Sequence, residues 1–158
     1  MTKNLRIALC AIAALVLAAA CGKDEGPKIS KNCATDVAAG YCNYSDPNKP
    51  KCDVKVEISD CAVKPTTTPD SLHVCRENTK ITWTLSASAS AAGAKFASNG
   101  IDFKGHPEFE HPKPGNTDFE WKDKRSRADP EHPVKYDLHI LTKDAGHCGD
   151  WDPFVINE

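Results

Sequence analysis

Between Asp53 and Glu158, apolar side chains recur at every second position, in short bursts broken by turn-forming residues. The bursts are Val54/Val56/Ile58, Leu72/Val74, Ile81/Trp83/Leu85, Phe96, Ile101/Phe103, Phe119/Trp121, Tyr136/Leu138/Ile140 and Phe154/Ile156. Successive side chains of a strand point to opposite faces, so this period marks strands with one face buried. About seven short strands at such spacing predict an all-β domain, a Greek-key β-sandwich. Ser98-Asn99-Gly100 reads as the turn between Phe96 and Ile101. No stretch carries a helical period for long enough to displace this reading. Residues Ser86–Ala94 alternate serine with alanine and read as a flexible loop, because serine competes for backbone hydrogen bonds. The 11 prolines and 9 glycines also argue against a helical bundle.

The first 20 residues are of another kind. Lys3 and Arg6 precede an apolar run from Ile7 to Ala20, too short to span a membrane but suited to a secretory signal. Leu17-Ala18-Ala19-Ala20-Cys21-Gly22 resembles the lipobox of bacterial lipoproteins. That resemblance implies an acylated Cys21 as the mature N-terminus, and Gly22 after it implies the outer membrane. Several acyl chains anchor durably where one is marginal. Residues 21–32 are polar and read as a flexible tether. Loss of Lys3 and Arg6 takes two of the 20 basic residues, against 22 acidic ones. An acidic mature chain is no nucleic-acid binder.

Six further cysteines remain: Cys33, Cys42, Cys52, Cys61, Cys75 and Cys148. An even number in an exported chain reads as three disulfides. A strand over residues 53–60 would hold Cys52 and Cys61 about 30 Å apart at ~3.3 Å per residue, beyond the roughly 7 Å limit for a bridge. Cys148 is expected to pair with Cys61 or Cys75, and the other cysteines to staple residues 33–52, which have little core of their own. No cysteine pair has the short spacing of a structural zinc site. The chain thus divides into signal (1–20), tether (21–32), stapled segment (33–52) and sandwich (53–158).

Ile-Thr-Trp-Thr-Leu (81–85), Asn-Gly-Ile-Asp-Phe (99–103), Lys-Tyr-Asp-Leu-His-Ile (135–140) and Asp-Pro-Phe-Val-Ile-Asn-Glu after the last cysteine resemble a group of small exported bacterial proteins of unknown function. The resemblance implies a cupredoxin-like sandwich; strand count alone also fits an Ig-like one. A cupredoxin copper site takes a histidine upstream, then cysteine, histidine and methionine around the last loop. Here neither histidine nor methionine follows Cys148, and the single methionine, Met1, leaves with the signal. The expectation is the scaffold without the metal site and without a cofactor.

Chemistry-bearing residues crowd into 104–133, where His106, His111 and His132 stand among carboxylates. Imidazoles could bind zinc or copper(II), so these three are the weak metal candidates. Each lies in a proline-bracketed loop, which favours solvated loop residues instead. His73 and His139 alternate with apolar neighbours and should point away from the core. His147 adjoins Cys148 and is read as structural; Asp144, Asp150 and Asp152 lack calcium-loop order and read as a solvated turn. Trp83 and Trp121 are expected in the core. No hydrolase, metalloprotease or phosphate-loop motif occurs. The function expected is therefore a non-catalytic, lipid-anchored cell-envelope protein with a binding or structural role. Its partners would be the membrane, through the lipid, and an envelope protein or other envelope ligand. The alternatives are a metal-binding or redox cupredoxin relative using the loop histidines, and a small exported hydrolase inhibitor.

Overall fold

The structure, a computed structural model, describes residues 31–58, 69–144 and 146–158, apart from the side chains of His147 and Asp150. The signal peptide, Cys21 and Cys61 lie outside the described residues. Helix α1 (Lys31–Ala38) precedes strands β1 (Cys42–Asn43), β2 (Lys51–Val56), β3 (Ser71–Val74) and β4 (Thr79–Leu85). Helix α2 (Ala87–Ala91) leads into β5 (Lys95–Asp102), β6 (Phe109–Pro114) and β7 (Asp118–Asp123). The chain ends with β8 (Val134–Lys135), β9 (Asp137–Thr142), β10 (Gly146–Trp151) and β11 (Phe154–Asn157). The protein is predominantly β, and its described residues form eleven strands where the bursts predict about seven. The excess comes from two-residue strands, too short to show a period, and from β6 and β10, which lack an apolar alternation.

The strands form three sheets, ordered β1-β2-β4-β7-β6, β10-β9-β5 and β3-β11-β8. Two of these are mixed, since β2 runs parallel to β4 and β3 parallel to β11. Alternation survives folding where the sequence shows it: β4 buries Thr79, Ile81, Trp83 and Leu85, and β2 buries Cys52, Val54 and Val56. All three sheets give side chains to one core, among them Val54, Leu72, Trp83, Phe119, Leu138 and Val155. Each such apolar side chain contributes about 1.5–3 kcal/mol. Sheet faces therefore dominate the stability, and helices of eight and five residues add little. At the centre, Trp83 Nε1 donates to Tyr136 Oη at 3.0 Å, and Phe103 packs against Trp83, Tyr136, Trp121 and Phe109. Trp121 is half-buried and donates from Nε1 to the Ile101 carbonyl at 3.0 Å. Trp151, which the sequence leaves open, is buried.

Several expectations need correction. Ser98-Asn99-Gly100 is not a turn. β5 runs through it, and a register shift between Phe96 and Ile101 absorbs the extra residues as a bulge. Gly100 is needed there because a Cβ would come within 2.7 Å of the Phe96 Cβ. Residues 87–91 are helical and not a loop: the Ser86 hydroxyl caps α2 by accepting from Ala89 N at 3.1 Å, so serine's affinity for backbone groups starts the helix. In β11 the inward phase is Val155 and Asn157, while Phe154 is 40% exposed. Pairing fixes that phase, with Val155 opposite both Leu72 and Val134.

Disulfides tie the N-terminal part down. Cys42 and Cys52 face each other across the β1–β2 pair with Cα atoms 3.9 Å apart. Cys33 in α1 is bridged to Cys75 just beyond β3, Cα to Cα 6.2 Å. That bridge removes Cys75 as a partner for Cys148, which is itself disulfide-bonded. Asp36 of α1, buried, accepts from the His73 backbone N–H at 2.6 Å, and burial raises its carboxyl above the ordinary range.

Candidate functional site

The crowded stretch 104–133 folds into two loops that meet. In the β5–β6 loop, Lys104 and Gly105 take positive φ (53° and 73°), which turns the chain so that His106 N–H reaches the Phe103 carbonyl at 3.0 Å. Phe109 then stacks on Phe103 and anchors the far end of the loop in the core. In the β7–β8 loop, Arg125 also has positive φ (41°), and its N–H donates to Asp123 Oδ1 at 2.8 Å. Ser126 joins the two loops: its N–H donates to Glu108 Oε2 at 2.6 Å and its hydroxyl to Glu108 Oε1. The later part of the loop is tied to β11, where Asp129 N–H donates to the Asn157 carbonyl at 2.7 Å.

Between these loops lies a cleft of about 530 Å³. His106, Pro107 and Glu108 line one side, Arg127, Asp129 and His132 the other, with Val134 and Asn157 from β8 and β11. Asp129 organises its side: Oδ1 pairs with His132 Nδ1 at 2.7 Å and Oδ2 with the Arg127 guanidinium at 3.1 Å. The His132 contact, with Arg127 behind it, holds the Asp129 carboxyl below the usual carboxylate range. Ser126 does the same for Glu108, against a smaller opposing effect of burial.

The cleft lies beside an unusually polar piece of the core. Asp123 continues the inward register of Phe119 and Trp121, and it is fully buried. Burial pushes its carboxyl up to about 7, and the Glu108 charge adds to this. The Arg125 N–H, the Asn157 side chain and the Arg125 charge oppose it. Asp123 Oδ2, Asn157 Oδ1 and Arg125 Nε are all buried and find no hydrogen-bond partner among the described residues. Asn157 lies close enough to favour the ionised carboxylate without bonding to Oδ2.

Of the three histidines singled out by sequence, His106 and His132 share the cleft. His111 lies outside it on β6, its exposed ring 3.7 Å from Glu110. Among the described residues, no group of three or more His, Cys, Asp and Glu side chains is placed to hold a metal ion. His73 and His139 point away from the core yet are covered, with side chains 15% and 16% exposed. His73 Nδ1 lies 2.8 Å from Glu158 Oε1, which also accepts from Asn32 Nδ2 at 2.8 Å, while Ser71 Oγ stands 3.5 Å from His73 Nε2. This group clasps α1, β3 and the C-terminal residue together. Asp144 is exposed and Asp152 pairs with Lys135 at 2.6 Å, while the side chains of His147 and Asp150 lie outside the described residues.

Asp123 and Asn157 are the site residues that sequence reasoning missed. Extending the Phe119/Trp121 alternation by one step would have found Asp123. Asn157 was hidden by the choice of Phe154/Ile156 as the inward phase. No family model and no curated protein sequence matches the chain.

Proposed function

We propose that this chain is a lipid-anchored protein of the bacterial cell envelope, held at the outer membrane through acylated Cys21, with a non-catalytic binding role served by the cleft between the β5–β6 and β7–β8 loops. The observation that carries the reading is the cleft itself. Loops far apart in sequence are locked together by Ser126 and Glu108, so that His106, Arg127, Asp129 and His132 face one space. A concave site with a few converging polar groups is the usual form of a small-ligand site. In this reading the three sheets form a Greek-key β-sandwich of cupredoxin-like or Ig-like kind, and the bridged cysteines match an oxidising compartment. A non-catalytic role is favoured by the hydrogen bonding of the cleft. Ser126 is engaged with Glu108, and His132 is engaged with Asp129.

The test is retention. The acylated full-length protein, extracted in detergent and immobilised, is challenged with solubilised envelope. One component is expected to be held in stoichiometric amount and lost on His132→Ala together with Arg127→Ala, both exposed side chains. Nothing retained, or retention indifferent to the two substitutions, would refute the reading.

A further inference from the structure

The hydrogen-bonding character of the cleft narrows the class of ligand. Its acceptors are the ionised carboxylates of Glu108 and Asp129 and the amide oxygen of Asn157. Its donors are the Arg127 guanidinium and the imidazole N–H groups of His106 and His132, the Ser126 hydroxyl proton being taken by Glu108. An anion would meet two carboxylates, and a cation would meet the guanidinium. A hydroxyl both donates and accepts, and so fits a lining that alternates the two.

A second observation points inward. Asn157 is 5% exposed, lines the cleft, and its Oδ1 has no hydrogen-bond partner among the described residues. Buried acceptors are costly to leave unmatched. A ligand donor reaching Oδ1 supplies what the protein does not. The volume of about 530 Å³ falls within the roughly 300–1,000 Å³ of small-molecule sites.

We infer that the cleft is a saccharide site, in which ring hydroxyls donate to Asp129, Glu108 and Asn157 Oδ1 and accept from Arg127 and the imidazoles. The inference rests on the reading of the cleft as the binding site and adds the ligand class. Among the described residues no Phe, Tyr or Trp side chain lines the cleft to stack on a sugar face, so affinity depends chiefly on this hydrogen-bond set.

The experiment is calorimetric titration of the full-length protein in a detergent without a sugar headgroup. N,N′-diacetylchitobiose and maltose are the probes, and spermidine and inorganic phosphate stand for the cationic and anionic classes. Saturable binding of at least one disaccharide is expected, weakened about ten-fold or more by Arg127→Ala and by Asn157→Leu. Arg127 is exposed, so its variant tests the site even if Asn157→Leu does not fold. Absence of saturation by both disaccharides, saturation by spermidine or phosphate alone, or an affinity unmoved by Arg127→Ala would overturn the inference. If the disaccharides fail while an envelope component is still retained through His132 and Arg127, the ligand class falls and the binding role stands. If both fail, the cleft is not the site.

Discussion

Asp123 makes the stability of this protein depend on pH in a direction opposite to ordinary acid denaturation. Its carboxyl is fully buried at the inward end of β7 and titrates near 7, where an unfolded aspartate titrates near 3.8. Between those values the folded chain holds a proton that the unfolded chain has released. Stability therefore falls as pH rises through the window and levels off above about pH 7. At 1.36 kcal/mol for each tenfold change in proton affinity, the full difference is about 4 kcal/mol. That is a large part of the roughly 5–15 kcal/mol by which domains are stable. Buried Asp36 pulls in the same direction, whereas Glu108 and Asp129, held low, act only in acid. The Asp123→Asn variant isolates the effect. Its amide is neutral at every pH, and its oxygen can still accept from Arg125 N–H. Urea unfolding followed by tryptophan fluorescence, at unit steps from pH 4 to pH 8, should show the variant gaining on the wild type by up to about 4 kcal/mol. Parallel curves for the two proteins would refute the reasoning.

Other consequences are as direct. Tyr136→Phe leaves Trp83 Nε1–H buried without its acceptor, and chemical denaturation should show a loss of about 1–3 kcal/mol. Gly100→Ala drives a methyl group into the Phe96 Cβ in the β5 bulge; a loss of about 1–3 kcal/mol and a lower Tm are expected. Ser86→Ala removes the α2 cap and should lower stability by about 1 kcal/mol in the same assay. Non-reducing peptide mapping should recover Cys33–Cys75 and Cys42–Cys52, and Cys148 joined to Cys61; Cys148 found as a free thiol would contradict the bonding described here.

The sequence carried the strands that bury one face and hid those that do not. β2, β4 and β9 announced themselves because Val54, Trp83 and Leu138 alternate with polar neighbours and point into the core. β6 could not, since only Phe109 among its residues is buried. The β5 bulge looked like a turn because Asn99-Gly100 has turn chemistry; only the facing β9 strand shows that the chain continues. The cleft was legible as a crowd of polar residues but not as a site. Ser126 bonding to Glu108 is a contact over 18 residues, and which strand phase faces inward, hence Asn157, depends on β11 pairing with β3 and β8.

The most direct test of the cleft as the binding site is photocrosslinking in intact cells. A photoreactive side chain replaces Pro107, which is exposed at the cleft and takes no part in the Ser126–Glu108 contact, or Asn48, which is exposed in the β1–β2 turn and does not line the cleft. The account predicts one dominant adduct from position 107, absent when His132 and Arg127 are both alanine, and none from position 48. The same adduct from both positions, or none from either, would contradict it.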